Sequence, residues 1–211
     1  LAPKAFDHSK PTSLLKNLIN ITTTDGDLIL DFFAGSGSTA HAVMLLNSED
    51  GANRRFICVQ LPEACSESSI AYKKCNMKTI ADLSKERIRR AGREISDNSC
   101  HKDWGKDTGF RVLKIDSSNM ADVYYTPDAL DKAKFDLFVD NIKPDRTPED
   151  LLFQVMLDWG VDLALPITKQ SIQGKDVFFV DGNALAACFH ASCSTDEAFA
   201  MELAKHHPLP V

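Results

Sequence analysis

Residues 28–39 read LILDFFAGSGST, an apolar run that passes through Asp31 into a glycine-rich turn. The run at 28–30 predicts a fully buried parallel strand, because strands covered on both faces are almost continuously apolar. Gly35 and Gly37 allow a sharp turn and a close approach of the backbone to a ligand. The stretch therefore predicts a strand, a turn and a helix that together hold a nucleotide-like ligand.

The residues around the turn narrow the class of ligand. Ser38 or Thr39 is a candidate cap for the helix that follows. The sequence has no Lys or Arg between Lys16 and Arg54, whereas a phosphate-binding P-loop has a Lys here. This disfavours a nucleoside triphosphate, and Asp31 at the strand end favours a ligand with an ammonium or sulfonium group. The glycines also fit the looser pattern of dinucleotide-binding folds, so a nicotinamide cofactor stays open as an alternative.

Two linked motifs resemble those of DNA methyltransferases that modify exocyclic amino groups. DFFAGSGST at 31–39 resembles the cofactor motif D-P-F-x-G-S-G-T-T, with Phe32 in place of the Pro. HSKPTSLL at 8–15, the K-P segment, resembles the K-P-x-x-L element that precedes the glycine motif in one circular order of these enzymes. Further stretches resemble the modification subunit of type III restriction systems, so that the resemblance covers nearly the whole chain. They are TIADLSKERIRRAG at 79–92, GFRVLKID at 109–116, DLLFQVMLDWGVDLALPI at 150–167 and VFFVDGNALAACF at 177–189.

The resemblance implies a site-specific DNA adenine-N6 methyltransferase with S-adenosylmethionine as cofactor. Its expected partners are double-stranded DNA, through the full-length protein, and the restriction subunit; a homodimer of modification subunits is a further option. In the family, Lys10 lies near the methionine carboxylate of the cofactor, and Gln60 or Glu63 after the second strand binds the ribose. Phe32 or Phe33 can belong to the core, and one of them can instead face the pocket. The expected cofactor-binding residues are Lys10, Pro11, Asp31, Phe32, Phe33, Ala34, Gly35, Ser36, Gly37, Ser38, Thr39, Gln60 and Glu63.

The catalytic motif of the family has no counterpart in this sequence. No D-P-P-Y-type string occurs, and the nearest one, YYTPD at 124–128, has the wrong order and follows the cofactor motif. The chain is therefore expected to be the C-terminal, cofactor-binding part of such an enzyme, inactive by itself and without catalytic residues. A non-catalytic subunit-interaction module is the alternative, and a nicotinamide-dinucleotide-binding domain, which Gln60 fits poorly, is a weaker one.

Composition and charge limit the class of protein. The 211 residues are 44% hydrophobic and 26% charged, with a formal net charge of −6. Such a chain can bury a sizeable core, and its apolar runs are too short to cross a membrane. The net charge argues against strong DNA binding by the chain alone. Its N-terminus has no basic region followed by an apolar one, which favours a cytoplasmic location.

The cysteines are scattered without paired spacing, which is typical of free thiols. They are Cys58, Cys65, Cys75, Cys100, Cys188 and Cys193. The stretch CFHASC at 188–193 offers three zinc ligands with no fourth nearby, so no metal site is predicted.

A basic stretch follows the second predicted strand. Residues 73–93 contain eight Lys or Arg against Asp82 and Glu86. Ile80, Leu83, Arg87 and Ile88 follow helical spacing within it. Two interpretations stay open: an exposed helix face, or a surface near the DNA backbone or the partner nuclease.

Alternating elements predict an α/β chain: half of a doubly wound Rossmann-like methyltransferase sheet, followed by a small α+β C-terminal unit. The predicted bounds are a cofactor-binding part at 1–95, a linker or loop at 96–108 and the C-terminal unit at 109–211. The first helix is expected to bury Leu14, Leu15, Leu18 and Ile19. The predicted elements are helices at 12–21, 38–46, 67–93 and 148–159, strands at 28–33, 55–61 and 110–115, a hairpin of 177–181 with 184–189, and a last helix from about Thr195.

Overall fold

The computed structural model describes residues 5–6, 8–121, 141–190 and 197–209. The chain divides into two compact units, 1–110 and 111–211. Within the described ranges, no helix is both long enough and apolar enough to span a bilayer. The predicted linker at 96–108 falls in the first unit, where Trp104 packs into the core.

Helices and strands alternate along the first unit. Its elements are α1 (Thr12–Thr22), β1 (Leu28–Asp31), α2 (Ser38–Asp50), β2 (Arg55–Cys58), α3 (Ile70–Cys75) and α4 (Ile80–Asp97). β1 and β2 pair in parallel, with Leu28 opposite Arg55 and Asp31 opposite Cys58. The predicted mixed α/β class is thereby confirmed. The described part of this unit pairs these two strands with no third one, so the doubly wound sheet stays a prediction.

The long helix predicted over 67–93 is two helices. Asn76 ends α3 with a left-handed backbone, φ 53°. Thr79 then begins α4 with a capping box, in which Thr79 Oγ1 accepts from Asp82 N at 3.1 Å and the Asp82 carboxylate accepts from Thr79 N at 3.2 Å. The predicted helix region is thus divided in two, because these local hydrogen bonds start a new helix.

The helices cover one face of the β1–β2 pair. Ile29 and Phe56 pack against a cluster of α1 and α2 side chains that includes Ile19 and Val43. On the other side of α2, Met44 packs with side chains of α4. α2 therefore lies between α1 and α4, which explains why most of its residues are buried.

The opposite face of β1 is exposed. Leu28 and Leu30 are 49% and 52% exposed, and Ile57 on β2 is 47% exposed. The prediction of a fully buried strand is wrong for the described structure. Successive strand side chains point to opposite faces, so the helices on one side partly bury Ile29 and leave Leu28 and Leu30 exposed.

A single stripe of α1 contacts the rest of the first unit. Ile19 is buried and Leu15 is partly buried against α2. Leu14 and Leu18 are exposed, so their predicted burial is wrong. The two leucines lie on the helix face that α2 does not reach.

The second unit is built on an antiparallel sheet. Its elements are α5 (Pro148–Asp158), β3 (Ile167–Ile172), β4 (Lys175–Val180), β5 (Leu185–Ala187) and α6 (Glu197–Ala204), with strand order β3-β4-β5. The predicted α5 and the hairpin around 181–183 are confirmed, whereas β3 was not predicted. The predicted strand at 110–115 is wrong: no ladder forms there, and the Arg111 guanidinium donates to the carbonyls of Leu163 and Leu165.

β4 is buried on both faces. Val177 and Phe179 pack against α6, whereas Phe178 and Val180 pack against α5. The sheet of the second unit is therefore covered by a helix on each side. The predicted cap of the last helix, Thr195, lies outside the described residues.

Candidate functional site

The glycine-rich turn joins the end of β1 to the start of α2. Val59 N donates to Asp31 O at 2.8 Å and Ala34 N donates to Val59 O at 3.1 Å, so the parallel pairing continues past both strands. Gly37 N closes the turn on Ala34 O at 2.8 Å. Gly35 and Gly37 have φ values of 53° and 75°, a left-handed conformation that favours glycine. The turn is thereby fixed against the end of β2.

The residues expected to cap α2 make other contacts. Gly37 occupies the cap position, and no side chain caps the helix. Ser38 Oγ lies 3.2 Å from Ser36 Oγ, and Thr39 Oγ1 donates to Asp31 Oδ2 at 2.5 Å. The cap prediction is wrong because both residues already lie in the first turn of the helix.

Asp31 anchors both ends of the turn. Its Oδ1 accepts from Phe33 N at 3.1 Å, and its Oδ2 accepts from Thr39 Oγ1 at 2.5 Å. An ionised carboxylate offers about four acceptor positions. Asp31 therefore stabilises the turn and still has acceptor capacity for a ligand.

Gln60 joins the turn from the end of β2. Its Oε1 accepts from Gly35 N at 2.7 Å, and its Nε2 donates to the carbonyl of Leu61 at 3.2 Å. Glu63 has no such contact with the turn: its side chain is exposed, and its carbonyl accepts from Ile80 N at 2.9 Å. Of the two candidate ribose ligands, the structure thus brings Gln60 to the turn and places Glu63 at the start of α4.

Phe32, Phe33, Lys10 and Pro11 of the predicted site are on the surface of the first unit, whereas Ala34 and Ser36 are buried. Phe32 is 62% and Phe33 89% exposed, so the option that one of them is core is wrong. Both rings lie at the open carboxyl end of β1. Lys10 is exposed, and Pro11 precedes α1 at its N-cap position.

A cluster of three hydroxyls, Ser9, Ser36 and Ser38, lies beside the turn. Their Oγ atoms are 3.1–3.2 Å apart. The guanidinium of Arg87 donates to all three through Nη1, at 2.5, 2.7 and 2.8 Å. Its Nη2 donates to Thr12 Oγ1 at 3.3 Å. The hydroxyl cluster thus connects the K-P segment, the turn and α4.

Sequence reasoning placed Arg87 in the basic stretch and missed this role. The available signal was its position in the helical spacing with Leu83 and Ile88, both of which are buried. An arginine at such a position is directed towards the rest of the protein rather than towards solvent.

The remaining basic side chains of α4 have different surroundings. Lys85 forms an ion pair with Asp82, and Arg90 forms one with Glu86. Arg89 lies over the ring of Phe110. The basic stretch is therefore partly neutralised, which weakens the case for a strong phosphate-binding surface.

A cleft of about 300 Å³ lies on the α4 side of the turn. Ser9, Ser36, His41 and Arg87 are among its lining residues. Burial, and secondarily the charge of Arg87, lowers the pKa of His41, and its buried Nδ1 has no hydrogen-bond partner among the described residues. The lowered pKa favours the neutral imidazole of His41.

The described residues contain no group of three or more His, Cys, Asp or Glu placed to hold a metal ion. Cys193, one of the three possible zinc ligands in the stretch at 188–193, lies outside the described residues. Cys58, Cys65, Cys75, Cys100 and Cys188 are free thiols.

We predict that Cys58 resists alkylation in the folded protein. Burial, and secondarily the charge of Asp31, raises the pKa of its thiol to about 11, and the thiolate is the reactive form. Iodoacetamide at pH 8, followed by peptide mass spectrometry, should leave Cys58 unmodified in native buffer and modified in denaturant. Equal modification in both conditions would contradict the prediction.

The sequence of the chain is similar to those of several known proteins. Residues 2–73 match the model of a DNA methylase family. The chain is 46% identical over 110 residues to the type III restriction-modification enzyme StyLTI Mod subunit of Salmonella typhimurium, covering 52% of this chain and 16% of that protein. It is 31% identical over 182 residues to the type III restriction-modification enzyme EcoPI Mod subunit of Escherichia phage P1, and this match covers 86% of this chain and 27% of that protein. It is 39% identical over 95 residues to the type II methyltransferase M.KpnI of Klebsiella pneumoniae, and this match covers 45% of this chain and 22% of that protein.

The chain spans between 16% and 27% of the length of these three relatives. The family match includes the K-P segment, the glycine-rich turn and Gln60, which are the parts that the structure brings together. On this evidence residues 2–73 match the DNA methylase family, and modification subunits of type III restriction systems are among the proteins to which the chain is similar.

Proposed function

We propose that the first unit binds S-adenosylmethionine and is the cofactor-binding part of a DNA adenine-N6 methyltransferase. One observation carries the proposal: Asp31, the glycine-rich turn and Gln60 are joined by hydrogen bonds at the carboxyl ends of two parallel strands. Open α/β sheets bind their ligands at this edge. The sheet that the two strands begin is proposed to be the doubly wound sheet of these enzymes.

The side chains at this edge fit a cofactor that carries positive charge. Asp31 contributes a carboxylate with free acceptor capacity at this edge. A carboxylate near a sulfonium or ammonium group is favourable, most of all where water is excluded. S-adenosylmethionine supplies an activated methyl group when it is bound.

The remaining residues have binding and orienting roles in this proposal. Gln60 holds the turn through Gly35 N and offers its amide to a ribose hydroxyl. Lys10 supplies a charge-assisted bond to the cofactor carboxylate. The exposed rings of Phe32 and Phe33 present apolar surface to the cofactor, and Glu63 is the second candidate for the ribose.

Methyl transfer is assigned to the whole protein rather than to this chain. The relatives are named modification subunits of type III restriction-modification enzymes and a type II methyltransferase, and the sequence has no D-P-P-Y-type string. We propose double-stranded DNA as the substrate, the restriction subunit as a partner and a homodimer of modification subunits as the assembly. Extrusion of the adenine from the duplex would expose its amine to the cofactor.

Calorimetric titration with S-adenosylhomocysteine tests the proposal. We expect the wild-type chain to bind and Asp31→Ala to bind at least about tenfold more weakly, since a lost bond to a charged group costs about 1.5–3 kcal/mol. Asp97→Ala, which removes an exposed carboxylate at the end of α4, is the matched control and should bind as the wild type does. Circular dichroism of each variant establishes that it is folded.

The titration also separates the alternative functions. NADH is titrated in the same way. If NADH binds and S-adenosylhomocysteine does not, the result would favour the dinucleotide-binding domain. Absence of binding by a folded wild-type chain would contradict the proposal and favour the interaction module.

A further inference from the structure

Arg87 is the point at which three segments of the first unit meet. Its guanidinium donates to Ser9 and Thr12 of the K-P segment, to Ser36 of the turn and to Ser38 at the start of α2. These partners lie between 49 and 78 residues away in the sequence. One side chain of α4 thus holds together the two motifs that carry the family resemblance.

The surroundings of Arg87 suit a fixed position. Ser36 and Ser38 are buried, and each hydroxyl of the cluster also bonds to the other two. A hydroxyl can accept from the guanidinium and donate to a neighbouring hydroxyl at once. Ser36 and Ser38 therefore have their hydrogen bonds away from water, whereas Ser9 is exposed. A displaced Arg87 would leave the two buried hydroxyls without the bonds that it donates.

Arg87 differs from Lys85 and Arg90 of the same helix in the groups that it contacts. Lys85 and Arg90 form ion pairs with residues of their own helix. Within the described ranges Arg87 forms none, and burial is the cause of its lowered pKa. A guanidinium stays charged at neutral pH even so. Its favourable interactions are made with the hydroxyls of other segments, so they depend on how these segments are placed.

The turn also packs tightly against α4 at this point. A Cβ added to Gly37 would lie 2.8 Å from Ser84 Oγ and 3.1 Å from Ile88 Cγ1. Ser84, Arg87 and Ile88 thus contact the turn from one helix, two of them by packing and the third by hydrogen bonds. The conformation of the turn is therefore set by α4 as well as by the strands.

We propose that Arg87 is a positioning residue of the cofactor site: it holds the K-P segment and the glycine-rich turn in the arrangement that receives S-adenosylmethionine. The cofactor in this statement rests on the proposed function. The positioning of the two segments rests on the hydrogen bonds alone and can be tested without a ligand.

Four forms of the full chain test the proposal: wild type, Arg87→Ala, Arg87→Lys and Arg90→Ala. Arg90→Ala is the matched control, since Arg90 lies on the same helix and bonds within it to Glu86. Hydrogen–deuterium exchange is followed in 8–12 and 34–38, with β4 of the second unit as internal reference. Calorimetry then gives the affinity of each folded form for S-adenosylhomocysteine.

In Arg87→Ala we expect faster hydrogen–deuterium exchange in both segments and an unchanged exchange rate in β4. The affinity of this variant should fall about tenfold, the equivalent of one lost hydrogen bond to a charged group. Arg87→Lys keeps a charge and three donors but not the planar fork, and it should recover part of the affinity. Arg90→Ala should match the wild type in both measurements.

Two results would overturn the proposal. The first is that residues 8–12 and 34–38 exchange hydrogen as slowly in Arg87→Ala as in the wild type. The second is that Arg87→Ala loses thermal stability but keeps its affinity for S-adenosylhomocysteine, as expected of a residue with only a structural role. A wild-type chain that does not bind S-adenosylhomocysteine would overturn the proposed function instead. In that case faster exchange of both segments would still establish Arg87 as the residue that positions them.

Discussion

Gly37→Ala is expected to lower the free energy of unfolding of the first unit by about 2–5 kcal/mol. Gly37 has φ 75°, and a left-handed backbone costs an L-residue about 1–2 kcal/mol. The new methyl group would also meet Ser84 Oγ at 2.8 Å and Ile88 Cγ1 at 3.1 Å, and overpacking of this kind costs about 1–3 kcal/mol. Urea unfolding followed by circular dichroism measures the sum.

Gly26→Ala separates the two contributions. Gly26 has φ 78° in the same unit, and a Cβ built on it would have no atom within 4 Å. The free energy of unfolding of this control should fall only by the cost of the left-handed backbone, about 1–2 kcal/mol. Equal losses in the two variants would mean that α4 does not pack against the turn as described.

The second large effect is expected in the core of the second unit. Leu152→Ala should lower its free energy of unfolding by about 2–5 kcal/mol, because truncation of a buried leucine loses hydrophobic contacts and leaves a cavity. Leu152 is 0% exposed and packs with Met156, Phe178 and Val180. Since small domains are stable by only about 5–15 kcal/mol, much of the second unit would be unfolded at moderate urea.

Leu157→Ala is the matched control for this prediction. It makes the same change on the same helix, but Leu157 is 64% exposed. Both variants retain the capping box that Thr147 and Asp150 form at the start of α5. The control should therefore stay within about 0.5 kcal/mol of the wild type. Comparable losses in both variants would contradict the packing of α5 against β4.

Features of the fold that depend on a few neighbouring residues could be predicted from the sequence. The start of α5 follows from Thr147 and Pro148, and the β4–β5 hairpin follows from the turn residues at 181–183. Burial of β1 could not be predicted in the same way, because it depends on what covers each face of the sheet. The apolar sequence of Leu28 and Leu30 is compatible with a covered face and does not supply the cover.

The same distinction applies to the candidate site. The adjacency of Asp31, the turn and Gln60 was predictable, because the carboxyl ends of neighbouring parallel strands lie at one edge. The contacts of Arg87 were not, since its hydroxyl partners are brought to it by three separate segments. Nothing in the local sequence of α4 identifies those partners.

β4 separates two apolar cores and belongs to both of them. Every residue of β4 from Val177 to Val180 is buried, so a polar substitution at any of these positions should be selected against during evolution. In β3, by contrast, four of the six residues are exposed. Divergence among related chains should therefore accumulate in β3 and spare β4. A library with random codons at both strands, selected for folded protein, would recover an apolar run in β4 and a nearly unrestricted one in β3.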